Sequence, residues 1–315
     1  RNKAQYPVSF DRQLKIGLFA PRSHRVVDCE NCILQPPIFA DIVKIFRKFI
    51  IKNGITVYDS EKHTGLLRHI YLRLAEATGE VMVCAVINGE DLPHKNELIE
   101  KLTEIPSVKS IVLNINRDRT NVILGKECVT VWGNDCIYDV LCGVKVRLSP
   151  LSFYQVNHDM AQQLYEKAAE YACLSGKETV LDMYCGTGTI GLSMAKKAKR
   201  IIGAEIVPEA VLDAKRNALE NGIENAEFIC ADAGEAAQEL SSRGIKPDVV
   251  LLDPPRKGCS EMLLAEIVKM SPERIVYVSC DPSTLARDCF RLKDLGYETK
   301  RLAAADLFPR TVHVE

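Results

Sequence analysis

The chain has 315 residues, 47% of them hydrophobic and 26% charged, which is apolar content enough for a core in each of two domains. A formal net charge of −1 leaves no global basic signature, so any nucleic-acid partner must be held by a local patch. No run of about 18 apolar residues occurs, the polar N-terminus is no signal peptide, and twelve cysteines without regular spacing suit reduced thiols in the cytoplasm better than a disulfide framework. The chain opens on Arg1 and stops on Glu315 while a strand pattern is still running, so a segment of a longer protein is expected.

Residues 1–35 read as β structure, with apolar–polar alternation over Gln13–Phe19 and Arg25–Val27 around the turn Pro21-Arg22-Ser23. Residues 1–50 carry nine basic against four acidic residues, which fits either a solvated face or a phosphate-contacting surface. Cys29 and Cys32 form C-x-x-C: half of a zinc or iron–sulfur site, a redox dithiol, or two ordinary thiols at a turn. Apolar residues at helical period predict a helix over Ile38–Ile51, ended by Asn53-Gly54. A hairpin follows at Leu67–Leu74 and Val81–Ile87, then a helix at Asn96–Leu102. Strands are expected at Ile111–Ile115, Val122–Leu124 and Cys128–Trp132. Residues 1–150 thus form an α+β module without a constellation of catalytic groups. In the hinge at 143–158, Ser152, Gln155 and Asn157 stand before a helix over Met160–Tyr171. Such residues are caps, or Gln155 reaches a ligand.

From Lys177 the pattern is βα alternation, the mark of a parallel sheet covered on both faces. The expected class is therefore α/β, with a Rossmann-like domain at 151–315 behind a smaller α+β module at 1–150. Strands fall at Thr179–Met183, Arg200–Glu205, Ala226–Cys230, Val249–Leu252 and Arg274–Ser279, with helices between. A last antiparallel pair is expected at Thr299–Ala304 and Thr311–Glu315. Val180–Glu205 combines a strand, a turn bearing Gly186, Gly188 and Gly191, a helix, and a second strand ending on Glu205, whose carboxylate can accept from ribose hydroxyls. The glycines satisfy G-x-G-x-x-G, so a nicotinamide and a methyl-donor reading are both open on them alone. Asp182 before the turn, and further polar motifs at later strand ends, tilt the choice toward S-adenosylmethionine. Those motifs are Asp232, which meets an adenine amino group or caps a helix; Asp253-Pro254-Pro255-Arg256-Lys257-Gly258, whose prolines stiffen the turn; and Ser279-Cys280-Asp281-Pro282. Cys280 lies at a strand end just ahead of a helix, where the helix dipole is expected to favour a nucleophilic thiolate. Cys185 and Cys259 are its rivals.

DMYCGTGTIG, DPPRKG, SCDPSTLARD and LFPRTVHVE, together with SFYQVN and RNKAQYPV, resemble the RNA (uracil-5-)-methyltransferases along the whole chain. The resemblance implies S-adenosylmethionine as cofactor, methylation of carbon 5 of a uridine, and an RNA partner rather than DNA or membrane. The central region favours 23S rRNA, and a tRNA T-loop uridine is the alternative. The resemblance makes Cys280 the nucleophile and Glu315 the base, and assigns cofactor contact to Gln155, Tyr184, Thr189, Glu205, Asp232 and Asp253. The target base must leave its stack to reach such a pocket, and Phe308 or Tyr154 either supports it there or is simply a buried aromatic. The resemblance also places Cys32 at the fourth ligand of a [4Fe–4S] cluster, from which Cys29 departs. A cluster and a small RNA-binding β-barrel are therefore expected in a full-length protein and not in this segment. A nicotinamide oxidoreductase would leave Cys280 and Glu315 idle, and a non-catalytic RNA-binding module would leave the polar strand ends unexplained.

Overall fold

The computed structural model describes residues 1–315, which divide into two units: Arg1–Asp139 with Leu148–Val156, and Val140–Arg147 with Asn157–Glu315. The backbone passes between them three times, where the sequence suggests one boundary near residue 150.

In the first unit, β1 (Lys3–Asp11), β2 (Gln13–Phe19) and β3 (Val26–Asp28) precede α1 (Pro37–Asn53), β4 (Leu67–Leu74), β5 (Val81–Ile87), α2 (Lys95–Thr103), β6 (Val108–Ile115) and β7 (Glu127–Gly133). The strands make one sheet in the order β3-β2-β1-β4-β5-β6-β7. Only β5 and β6 run parallel, since the link between them contains α2 and is long enough for a crossover. Alternation along the strands sends Tyr6, Ile16, Ile70 and Val83 to one face, where the core with Phe39 and Phe46 of α1 forms. Gly54, at φ 60°, ends α1 by donating its N–H to Ile50 O. No strand forms at Val122–Leu124. The Asn116 side chain takes the carbonyls of Val122 and Ile123 at 2.8 and 2.9 Å, and Asn114 pairs with Gly125, so the segment is a loop tied to its neighbour by side chains.

A hairpin, β8 (Ile137–Leu141) and β9 (Val144–Leu148), stands where the sequence pattern predicts no strands. Its turn residues Cys142 and Gly143 both have positive φ, the geometry of a tight primed turn, but cysteine is not among the residues that signal one.

In the second unit, α3 (His158–Ala172) is followed by β10 (Thr179–Met183), α4 (Thr189–Met194), β11 (Arg200–Glu205), α5 (Pro208–Glu220), β12 (Ala226–Cys230), α6 (Ala233–Ser242), β13 (Val249–Leu252), α7 (Glu261–Met270), β14 (Arg274–Tyr277) and α8 (Pro282–Asp294). The five strands are parallel in the order β12-β11-β10-β13-β14. The order reverses between β10 and β13, and ligands of such sheets bind beyond the carboxyl ends of the strands at that switch. The expected antiparallel pair at the end of the chain does not form. Ala305 and Glu315 exchange both backbone hydrogen bonds, at 2.8 and 3.0 Å, but 299–304 is irregular. Its one large apolar side chain, Leu302, is 77% exposed, so no burial holds that segment in a sheet.

Arg73, 2% exposed in β4, donates to Ser149 O and Ser152 O at 3.0 and 2.7 Å and so anchors the 148–156 segment within the first unit. Arg73→Leu should lower the urea-unfolding free energy of the first unit by about 2–4 kcal/mol, because two carbonyls lose charge-assisted donors. Arg73→Lys should recover only part of that, since an ammonium cannot reproduce the planar fork.

Candidate functional site

The glycine turn leaves β10 through Tyr184, held at φ 64°, a conformation costly for a side chain of this size. Asp182 Oδ2 accepts from Gly191 N at 2.9 Å and ties the strand to the first turn of α4. A Cβ on Gly191 would lie 2.7 Å from that oxygen, so the tie requires glycine. Asp182 Oδ1 is buried with no partner. Burial pushes this carboxyl up to about 7; the Gly191 N–H opposes the shift and Glu205 adds to it. At the end of β11, Glu205 accepts from Gly186 N at 3.0 Å and Val207 N at 2.9 Å, which fixes its carboxylate beside the turn. Gly186, at φ 54°, faces open space where a Cβ would stand. Exposed Ile206 follows Glu205. Asp232 caps α6 by accepting from Gly234 N at 2.9 Å. Thr189 is buried and its hydroxyl pairs with that of Thr187 at 3.1 Å.

Beyond β13 and β14 a second group of side chains gathers. Burial first, then Glu315 and Asp182, push the Asp253 carboxyl up to about 7, and no protein group donates a hydrogen bond to it. Burial also raises Glu315, which Arg256 partly offsets. Half-buried Cys280 lies within electrostatic reach of all three: burial and Glu315 push its thiol up, while its own backbone N–H and Arg256 pull it down. Arg256 Nη2 is 3.3 Å from His313 Nδ1; guanidinium nitrogens only donate, so this imidazole nitrogen accepts.

The expectation that a helix dipole would favour the Cys280 thiolate is corrected by this geometry. Asp281, not Cys280, caps α8, its Oδ1 accepting from Ser283 N and Thr284 N at 3.0 Å each. Those amides are spent on a carboxylate, and the thiol, one residue outside the cap, sits above its ordinary range. The rival cysteines are less available still: Cys185 and Cys259 are buried, and burial raises both thiols, Cys259 to about 11. Tyr154 is buried with its hydroxyl donating to Asp139 at 3.0 Å, so it cannot support a flipped base. Half-buried Phe308 packs edge-on against His313, ring centroids 6.0 Å apart.

The second unit thus brings together Tyr184, Glu205, Asp232, Asp253, Cys280 and Glu315 at the carboxyl ends of its strands. Gln155 belongs to the first unit, where its carbonyl accepts from Asn2 Nδ2 at 3.0 Å. Cys29 and Cys32 are also there, close enough that Cys32 raises the Cys29 thiol after burial has done so. No third cysteine, histidine or carboxylate joins them in a ligand cluster, so the residues present do not make a four-cysteine site. Asn217 of α5 was missed: its side chain donates to Thr187 O at 3.0 Å and accepts from Arg147 N at 2.9 Å, bracing the glycine turn from behind. An asparagine inside an amphipathic helix carries no local signal for such a task.

Residues 142–315 match the family described as tRNA (uracil-5-)-methyltransferase. Over its whole length the chain is 48% identical to an RNA methyltransferase of Clostridium tetani and 48% identical to one of Halalkalibacterium halodurans, covering 69% of each. It is also similar to the crystal structure of Pyrococcus abyssi tRNA (uracil-54, C5)-methyltransferase in complex with S-adenosyl-L-homocysteine, with a TM-score of 0.86 at 31% identity, covering all of this chain and 73% of that one. The chain belongs to the RNA (uracil-5-)-methyltransferase family. It is an S-adenosylmethionine-dependent RNA methyltransferase with a Rossmann-like fold. No helix is long and apolar enough to cross a membrane.

The site fits that cofactor chemically. Glu205 offers a carboxylate to ribose hydroxyls, the open space over Gly186 admits a ligand against the backbone, and the unpartnered carboxylate oxygens of Asp182 and Asp253 suit a cation. Glu205→Gln should weaken S-adenosylmethionine binding by roughly tenfold, measured by calorimetry, since a charged acceptor becomes neutral. Both aspartates have folded values of about 7 against an ordinary 3.8, so the stability they contribute is complete below 3.8 and is lost as pH rises through about 7. A cation favours their ionised forms, so S-adenosylmethionine affinity should increase across the same window. Asp253→Asn should weaken both pH dependences, leaving the share of Asp182.

Proposed function

We propose that the enzyme methylates carbon 5 of a uridine through a covalent adduct on Cys280, with Glu315 as the base. The observation that carries this is the grouping of a half-buried thiol with Glu315, Asp253 and Arg256 at the switch end of the sheet. Carbon 5 of uracil is too weak a nucleophile to attack a methyl sulfonium directly. The Cys280 thiol first gives its proton to solvent; when the thiolate Sγ then bonds to carbon 6, the C5–C6 π pair moves into an enolate that makes carbon 5 nucleophilic. That pair forms the new carbon–methyl bond, and the methyl–sulfur bond breaks with its electrons left on the donor's sulfur. Glu315 then takes the carbon 5 proton, the C5–C6 double bond re-forms, and Cys280 leaves as thiolate. Arg256 is the cation that lowers the cost of that thiolate. Glu205, Asp232, Tyr184, Thr189 and Gln155 serve the cofactor, and Asp253 stands between cofactor and base.

Residues 1–150 contact the RNA in this reading and residues 151–315 carry the chemistry. The acceptor is 23S rRNA, on the resemblance of the central region. A tRNA uridine is the second reading, supported by similarity to the Pyrococcus abyssi tRNA enzyme. Methylation assays on 23S rRNA and tRNA transcripts decide between them. Cys32 takes no part in the reaction; as the fourth ligand of a [4Fe–4S] cluster it needs three further cysteines, and iron and sulfide analysis of a longer chain tests that role.

Fluorine at carbon 5 cannot be removed as a proton, so 5-fluorouridine RNA should trap a methylated RNA–protein adduct on a denaturing gel. Cys280→Ala should abolish that band; its survival would move the nucleophile to another cysteine. Glu315→Gln should accumulate the same adduct with ordinary uridine RNA, because loss of the carbon 5 proton is then the blocked step.

A further inference from the structure

The Asp288 side chain is wholly buried at the middle of α8, and four donors converge on it. Cys259 N and the Tyr277 hydroxyl donate to Oδ2, each at 2.8 Å, while Arg287 Nε and Arg291 Nη1 donate to Oδ1 at 2.9 and 3.3 Å. Burial alone would raise this carboxyl; Arg287, the Cys259 N–H and Tyr277 outweigh it and hold the group below its ordinary value. Arg287 also donates through Nη2 to Lys257 O at 2.8 Å. Between those two anchors Gly258, at φ 72°, comes so close that a Cβ there would lie 2.5 Å from both Arg287 Nη2 and Asp288 Oδ2. The helix that starts just after Cys280 therefore grips the turn after β13 at three successive residues, and Tyr277 adds the end of β14.

We propose that Asp288, with Arg287, is a positioning residue for the reaction: it locks the Asp253–Cys259 turn to the middle of α8, the helix that follows Cys280, and so sets Arg256 and Asp253 at working distance from Cys280. The proposal rests on the assignment of Cys280 as nucleophile. Asp288 lies in the interior and bonds to backbone and side chains of the turn, so it acts through Arg256 and Asp253 rather than on the uracil. Displacements of about 1 Å in such a group cost on the order of a hundredfold in rate. A buried carboxylate with four donors resists them better than apolar packing, because each donor fixes a direction as well as a distance.

The test uses the folded chain with S-adenosylmethionine and its RNA substrate. Asp288→Asn should keep its circular dichroism spectrum and bind the cofactor within ~threefold of the parent. It should lower kcat by ~tenfold or more with KM for RNA little changed. A role in stability alone would not move the pH profile of Cys280 labelling by iodoacetamide, read by mass spectrometry of the Cys280 peptide. Glu315 and Asp253 raise that thiol and Arg256 lowers it, so release of Arg256, next to the gripped residues, should shift the profile to higher pH. An unchanged labelling profile and kcat in folded Asp288→Asn would overturn the proposal. If that variant does not fold, Tyr277→Phe, which removes one donor and no charge, should give a smaller shift of the same sign; no shift would count equally against it. Cys280→Ala run in parallel separates the two readings. An adduct retained there sinks the nucleophile assignment; an adduct lost there while Asp288→Asn stays unchanged sinks the clamp.

Discussion

The hydrogen bond from Gly191 N to Asp182 Oδ2 is the constraint on which the site depends. It joins the central strand β10 to the first turn of α4, and everything between them, Tyr184 to Gly188, becomes a loop of fixed ends. Strain at Tyr184 and positive φ at Gly186 and Gly188 are tolerated because that loop is braced again by Asn217 and closed by Glu205. The same bond uses one oxygen of Asp182 and leaves the other buried without a donor. The fold therefore leaves a buried carboxyl oxygen unsatisfied at the sheet switch, a cost that a bound cation would offset.

Electrostatics at the other half of the site run against easy ionisation. Burial raises Asp253, Glu315 and Cys280 alike, Glu315 adds to the shift of the other two, and Arg256 is the only opposing cation among their neighbours. A single guanidinium therefore has leverage over several groups. Its own placement rests on a rigid two-proline turn and on the grip of α8, so backbone stiffness several residues away is converted into acid–base behaviour at the thiol.

The second unit was legible in the sequence because each of its strands is a short apolar run and several of the proposed site residues stand at strand ends. Position in the βα pattern was enough to place Glu205, Asp253 and Cys280 at the carboxyl ends of the strands. What escaped was whatever depends on side chains bonding to distant backbone. Asn116 replacing a strand with a tethered loop, Asn217 bracing Thr187, and Asp288 holding Cys259 N are long-range pairings with no local signature. Helix polarity misled at Cys280 for a related reason. The amides that would have served the thiol were claimed by its neighbour Asp281, and sequence order alone does not say which of two adjacent residues becomes the cap.

That capping choice bears on chemical durability. Peroxides and soft electrophiles attack thiolates far faster than thiols. By giving the helix amides to Asp281 and placing Glu315 and Asp253 near Cys280, the fold biases this sulfur away from its thiolate form. Reactivity is then lent to the cysteine by its surroundings rather than owned by it.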